Sequence, residues 1–359
     1  MNLNSLKHSS NWRAADLERE QRWIFHIDEP SREEMITTVL KAEDPNKTLL
    51  DYRRTDFPLS ETWRTFIPAL EEVKHGLGVA LVKGLPRKEL TARQFEILTW
   101  ALGLHAGVPR PQGKETHYIS AVRDAGVTYR SGTGRGYSSN ADLDFHTDSS
   151  DIVFLSCFNQ SVSGGKTIVC SSMAGHEVMA REYPEQLKWL YEPIAFSRQG
   201  EGAYDEGSFV MQPVFSQVGG KWFGRWNWNR VQSAQKIEGA PQLSPEHYAA
   251  LKQFDKIVRR PDIAYEMWLE PGDVQIVNSH VTLHSRTEFQ DHEDPALKRL
   301  LYRLWIAPPD SDVLPECWRD LYRACESGVV RGGIRGFKYD ERCAQFEARQ
   351  AQDCSMKYV

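Results

Sequence analysis

The sequence predicts a mainly β protein, a sandwich or barrel core wrapped by flanking helices, and three observations lead there. From about residue 105, short β-rich runs alternate with clusters of Gly, Pro, Asn and Asp. No strand–helix–strand alternation appears, which argues against a parallel α/β sheet. No Pro/Gly/Ser-rich linker divides the 359 residues, so one domain is expected over 1–359 rather than two joined units. Its parts are a helical N-terminal decoration (1–75), a β-core with helical inserts (76–308) and a C-terminal helix and loop segment (309–359).

The N-terminal part reads as helical by its period, with helix starts near Ser31 and Ser60 and acidic residues in each first turn. The run Gly78–Val82 reads as a strand closed by Gly84-Leu85-Pro86, and Thr91 can cap a helix over Thr91–Leu102. Strands are then predicted at Thr116–Val122, Ile152–Phe158, Thr167–Cys170, Trp222–Trp228, Ala264–Leu269, Val274–Val277 and Leu300–Ile306. Helical inserts are predicted at Ala174–Tyr191 and Pro245–Val258.

With 40% apolar and 26% charged residues, the chain can bury a sizeable core, which excludes wholesale disorder. Lys+Arg of 44 against Asp+Glu of 49 gives a net charge of -5 and no general field for nucleic acid. No apolar run approaches the ~20 residues of a membrane span. The N-terminal MNLNSLKHSSNWRAADLERE is too polar to be expected to act as a signal peptide. The six cysteines include no C-x-x-C pair, so free thiols in a reducing, cytoplasmic compartment are expected.

The chemistry is sought first in His-x-Asp. His26-x-Asp28 precedes a helix entry, where Asp28 reads as a turn residue, and His292-x-Asp294 lies in a charged loop without apolar support. His146-x-Asp148 differs, because it leads through Ser149-Ser150-Asp151 into the apolar run Ile152–Phe158. Residues i and i+2 of an extended segment point the same way, so both side chains can reach one metal ion. A third ligand should come from another strand, and His280 and His284, after Val274–Val277, both qualify. Two histidines and one carboxylate on one face leave cis positions open, as in non-haem Fe(II) oxygenases, whereas a zinc hydrolase would complete the set differently. Surface or core histidines are the plainer alternative.

In Arg299–Ile306 the period of two puts Arg299, Leu301, Arg303 and Trp305 on one face. If that face lines a cavity, two buried guanidinium groups each need an anion. Arg303 has no acidic neighbour in its strand, which points to an anionic substrate. Thr167, in Gly164-Gly165-Lys166-Thr167, could add a hydroxyl to the same cavity.

Together these pieces resemble the taurine dioxygenase/clavaminate synthase-like family of Fe(II)- and 2-oxoglutarate-dependent oxygenases. The resemblance rests on F-H-T-D (Phe145–Asp148), G-G-K-T (Gly164–Thr167), N-S-H-V-T-L-H-S-R-T (Asn278–Thr287) and K-R-L-L-Y-R-L-W (Lys298–Trp305), and spans about residues 76–308. It implies a double-stranded β-helix, or jelly roll. It also implies iron ligands at His146, Asp148 and His284, the last preferred over His280 for its H-x-R-T context. Arg299 and Thr167 match the positions that hold the distal carboxylate of 2-oxoglutarate. Arg303 matches one that contacts the substrate's anionic group or supports the co-substrate and, with Ser149, is assigned to substrate, the plainer alternative being that it pairs with a distant Asp or Glu. Many relatives carry Trp where Phe145 stands. The implied reaction consumes O2 and 2-oxoglutarate, releases succinate and carbon dioxide, and hydroxylates, desaturates or cyclises a small anionic substrate, an amino acid or related organic acid. An iron oxidase that needs no 2-oxoglutarate and a non-catalytic small-molecule-binding jelly roll are the competing readings. The glycine-rich Arg130–Asn140 stretch is expected to order over substrate as a flap, and Trp222, Trp226 and Trp228 are expected in packing before pocket lining.

Overall fold

The structure, a computed structural model, describes residues 9–127 and 136–359. Among these, two sheets face one another. Their strands are β1 (Ile24–His26), β2 (Val79–Lys83), β3 (Val108–Arg110), β4 (Ile119–Val122), β5 (Leu143–His146), β6 (Ile152–Asn159), β7 (Thr167–Ser171), β8 (Ala264–Met267), β9 (Val274–Asn278), β10 (Thr282–Arg286) and β11 (Leu300–Ala307). The larger sheet runs β1-β2-β9-β6-β11-β3, with β4 also pairing β11, and the smaller runs β8-β7-β10-β5. Only β1 with β2 is parallel in these two sheets.

The alternation along β11 sorts its side chains into two cores. Leu301 and Trp305 point between the sheets, among Val153, Cys157, Val169 and Val277. Tyr302, Leu304 and Ile306 point outward onto helices Ser60–His75 and Ala92–Ala106, against Phe66, Phe95 and Leu98. Behind the smaller sheet, Cys170 and Leu283 pack on helices Ser172–Glu182 and Pro245–Val258 through Ala174, Val178, Leu251 and Phe254. Each fully buried side chain of this kind stabilises the fold by ~1.5–3 kcal/mol. The result is helix, sheet, sheet, helix, with the polar site at one end between the sheets.

Several elements differ from the expected bounds for identifiable reasons. The first long helix, Glu29–Ala42, starts ahead of Ser31 because Asp28 caps it, its carboxylate accepting from the Ser31 N–H at 3.0 Å. The insert expected at Ala174–Tyr191 breaks at Tyr183, since Pro184 has no N–H to continue the ladder. The run Trp222–Trp228 is not one strand. A strand ends at Gly224, and Asn227 then caps a helix over Trp228–Ala234 by accepting from Arg230 N–H at 3.0 Å. Trp226 is fully buried and Trp222 and Trp228 nearly so, which makes them core packing first. The short strands β1, β3, β5 and β10 are not among the predicted ones.

The C-terminal segment is tied to the core by a buried ion pair, Arg110 Nη1 to Glu347 at 2.8 Å. It also reaches the site, where Gly333 N–H donates to the Ser149 carbonyl at 2.6 Å. Among the described residues, no helix is long and apolar enough to cross a membrane.

Candidate active site

The site begins with facing strands β5 and β10, in which His146 sits directly opposite His284. Alternation turns Phe145 and Leu283 outward into the helical core and leaves the two imidazoles between the sheets. Asp148 lies just past the end of β5, where the chain turns through Ser149 to Asp151 before β6. His146 Nε2 and His284 Nε2 are 3.0 Å apart, and His284 Nε2 is 3.5 Å from Asp148 Oδ2. Ligand atoms of all three residues fall within 4.8 Å of one another.

This donor set fits a cation. His146 Nδ1 lies 2.8 Å from the Asp144 carbonyl, which can only accept, so Nδ1 carries the proton and Nε2 offers its lone pair inward. A hydrogen bond between the imidazoles could satisfy one nitrogen, but Asp148 Oδ2 is buried and accepts no hydrogen bond. An ion between the three satisfies all of them. Burial lowers the His146 pKa and takes His284 down to about 3, with His146 adding to the effect on His284. Burial opposes ionisation of Asp148, but Arg303, His284 and His146 hold it at about 2. Two neutral imidazoles and a carboxylate near neutral pH are what a divalent metal requires.

These shifts predict acid sensitivity. A histidine kept neutral by the fold below its ordinary pKa of 6.5 takes up no proton there, whereas the unfolded chain does. Stability is therefore fully present above 6.5 and lost as pH falls, by up to ~1.4 kcal/mol per pH unit for each such histidine. His176, lowered to about 4 by burial, acts in the same direction. The unfolding midpoint of metal-free protein should drop from pH 7 to pH 5, and a constant or rising midpoint would contradict this.

His280 is not part of the cluster. Its Nε2 meets Asp151 Oδ1 at 2.9 Å, and Arg331 Nε meets the same oxygen at 3.0 Å. Burial opposes the charge on Asp151, yet Arg331 and His280 hold its carboxyl well below the usual range. His26 and His292 also lie outside the cluster.

Deeper between the sheets, Arg299 is 2% exposed. Its Nε donates to Gln160 Oε1 at 3.1 Å, and its buried Nη1 has no partner. Burial takes it down to about 10, with Cys157 and the Asp291 carboxylate acting in the opposite direction, and among the described residues no carboxylate forms an ion pair with the guanidinium. The Gly164-Gly165 turn makes room for it, since a Cβ on Gly165, whose φ is +71°, would stand 3.0 Å from Arg299 Nε. Thr167 Oγ1 donates to Gln275 Oε1 at 2.8 Å, and the buried Gln275 Nε2 is itself without a partner. Unsatisfied donors inside the barrel suit an added carboxylate.

Arg303 has the acidic partner that its own strand does not supply. Its Nη1 meets Asp148 Oδ1 at 3.3 Å and its Nε donates to Gln112 Oε1 at 2.8 Å. Its burial alone therefore does not demand an anionic substrate. Ser149, also assigned to substrate, faces the metal cavity, but its Oγ accepts from Arg225 Nη2 at 3.1 Å. The cavity over the cluster measures about 100 Å³ and is lined by Asp144, Ser149, Glu201, Asn227, Arg230 and Arg303 among others. It shares Asp144, Gln199 and Asn229 with a neighbouring cavity of about 830 Å³ walled by Trp228, Ile237, Leu243 and Tyr248. Of the expected flap, residues 130–135 lie outside the described residues, and Gly136 lines the smaller cavity.

Arg225, Gln160, Gln275 and the Arg230–Glu201 pair were not anticipated. Arg225 was legible in principle, because a lone arginine inside the run Trp222–Trp228 is set among core aromatics and must find acceptors.

Facing sheets that hold two imidazoles and a carboxylate over one cavity, with a buried arginine beyond, define a jelly-roll oxygenase. Residues 46–305 match the model of the "Taurine catabolism dioxygenase TauD, TfdA family". The FR-33289 synthase of Streptomyces rubellomurinus is 31% identical over 304 residues, covering 83% of this chain and 88% of that protein. The chain belongs to the TauD/TfdA family and is an Fe(II)- and 2-oxoglutarate-dependent dioxygenase that uses O2. Two solved structures share its fold. One is an asparagine oxygenase in complex with Fe(II), 2S,3S-3-hydroxyasparagine and succinate, with TM-score 0.62 and 16% identity, covering 79% of this chain and 93% of that one. The other is the non-heme iron oxygenase OrfP in complex with Fe and alpha-ketoglutaric acid, with TM-score 0.59 and 14% identity, covering 81% and 95%.

Proposed function

We propose that His146, Asp148 and His284 hold the iron, that Arg299 with Thr167 receives the distal carboxylate of 2-oxoglutarate, and that the enzyme oxidises a small charged substrate, an amino acid or related organic acid. The observation that carries this reading is the convergence of the three ligand atoms within 4.8 Å, together with a buried arginine whose Nη1 has no hydrogen-bond partner among the described residues. Bound iron, 2-oxoglutarate and O2 together supply the oxidation of a substrate C–H bond, with succinate and carbon dioxide released. The Nδ1–H bond to Asp144 holds the His146 ring in its ligating tautomer. Arg303 pins one oxygen of Asp148 and leaves the other turned toward His284. Arg299 would hold 2-oxoglutarate by its distal carboxylate through a charge-assisted hydrogen bond. The apolar side chains Leu301, Trp305 and Val169 exclude water between the sheets.

The charge of the cavity supports a zwitterionic substrate. Arg303 and Arg230 share its wall with Asp144 and Glu201, and Arg230 Nη2 meets Glu201 Oε2 at 2.8 Å. The amino-acid product in the asparagine oxygenase complex is a further support. Ser149 lies within reach of the same substrate. Outcomes of hydroxylation, desaturation or ring closure are all compatible with this frame. The free state of all six cysteines, five of them buried, supports action in the reducing cytoplasm; residues 1–359 are read as one catalytic unit.

A panel of amino acids, sulfonates and small organic acids tests the reading by substrate-stimulated release of succinate. Amino or organic acids are expected as the active compounds, and Arg303→Gln should raise their KM about tenfold or more. An ester or amide that has lost the carboxylate and is used as well as the free acid would overturn the assignment of an anionic group to the substrate.

A further inference from the structure

The hairpin strand ending at Gly224 delivers Arg225 beneath the turn that carries Asp148. Arg225 is 2% exposed. Its Nη1 donates to the Asp148 carbonyl at 3.0 Å, to Thr147 Oγ1 at 3.2 Å and to the Thr147 carbonyl at 3.3 Å. Its Nη2 donates to Ser149 Oγ at 3.1 Å. None of these acceptors is a carboxylate. A guanidinium buried on neutral acceptors alone is costly, and an apolar side chain of equal volume would pack there without that cost. What the arginine adds is geometric, since one rigid planar fork fixes three consecutive residues at once. The surrounding backbone is braced from the same side. Thr147 N–H donates to the Trp226 carbonyl at 2.8 Å, and His146 bridges Asn227.

We infer that Arg225 is the positioning residue of the aspartate ligand. Resting on the assignment of His146, Asp148 and His284 to the metal, it divides the work with Arg303. Arg303 orients the Asp148 carboxylate at Oδ1, while Arg225 fixes the peptide groups from which that side chain projects. Without Arg225 the turn can rotate about Thr147 and Ser149, and Asp148 Oδ2 no longer stays aligned with the two imidazole nitrogens. The consequence falls on metal affinity and ligand geometry, while the hydrophobic cores stay in place.

The test is Co(II) titration of metal-free protein, followed by calorimetry and by the visible absorption of the bound ion, with thermal unfolding measured without metal. Arg225→Met should bind Co(II) at least tenfold more weakly and with an altered visible spectrum, at an unfolding midpoint close to that of the parent. Arg225→Lys, which keeps the charge and loses the fork, should fall between. Ser149→Ala removes only one acceptor and keeps the fold, and it should weaken Co(II) binding severalfold. If Arg225→Met does not fold, the Ser149→Ala and Arg225→Lys results decide. Parent affinity and spectrum in the folded variants overturn the inference. Asp148→Ala separates it from the ligand assignment. Lost Co(II) there with normal binding in the Arg225 variants removes Arg225's role alone, and normal binding in both removes the ligand assignment as well.

Discussion

Replacing His284 by alanine is expected to abolish 2-oxoglutarate turnover and to leave the fold intact, and His146→Ala should do the same. Asp148→Ala should also abolish turnover, with a lowered unfolding midpoint because it removes an acidic partner of the buried Arg303. Each substitution removes one of three donors, and two donors do not hold iron in a cavity open to water and to the co-substrate. The fold survives because these groups are inward-facing and polar, beside the apolar cores and not part of them. His280→Ala is the matched control. It takes one partner from Asp151, which Arg331 still holds, so it should cost ~1–3 kcal/mol of stability and keep the metal. Metal content, and the visible charge-transfer band of the anaerobic Fe(II) and 2-oxoglutarate complex, are the measurements. A His284→Ala protein that keeps the band, with a His280→Ala protein that loses it, would exchange their roles.

The sequence made the alternation of β11 readable, because burial on both faces still obeys the period of two. Leu301, Arg303 and Trp305 do share the inner face, with Leu301 and Trp305 in the inter-sheet core, while Arg299 sits just before the strand's first residue, beside a register shift in its pairing with β6. Turn chemistry made the helix starts at Asp28 and Thr91 readable. Short strands β5 and β10 were not, since Leu143–His146 and Thr282–Arg286 mix apolar and charged residues with no run to mark them. They form because β10 pairs with β5 on one side and β7 on the other, which is a tertiary fact. Asp148 as partner of Arg303 was hidden for the same reason, as the two lie 155 residues apart in the chain. The amides Gln112, Gln160 and Gln275 carry no local signature at all. They are recognisable only once the cations and hydroxyl they serve are found buried.

Loss of the Arg299 guanidinium should raise the requirement for 2-oxoglutarate steeply. Truncating one partner of a desolvated, charge-assisted pair typically costs ~2–5 kcal/mol, or about 30-fold to several-thousand-fold in apparent affinity. Arg299 falls in that class because, among the described residues, its Nη1 is buried without a hydrogen-bond partner and its side-chain acceptor is the neutral Gln160. The same fact sets the sign of a second effect. In the absence of 2-oxoglutarate the buried cation is a burden on the fold, so Arg299→Met, which keeps most of the volume, should leave the unfolding midpoint unchanged or higher. A residue that merely held the strand in place would lower the midpoint and the 2-oxoglutarate affinity together. Thr167→Val should give a smaller rise in the 2-oxoglutarate requirement, since its hydroxyl is already engaged with Gln275. The decisive comparison is the 2-oxoglutarate dependence of succinate release in Arg299→Met against its thermal midpoint. An unchanged dependence would remove Arg299 from the site, whereas a steep rise at constant or raised stability marks it as the anchor of the co-substrate.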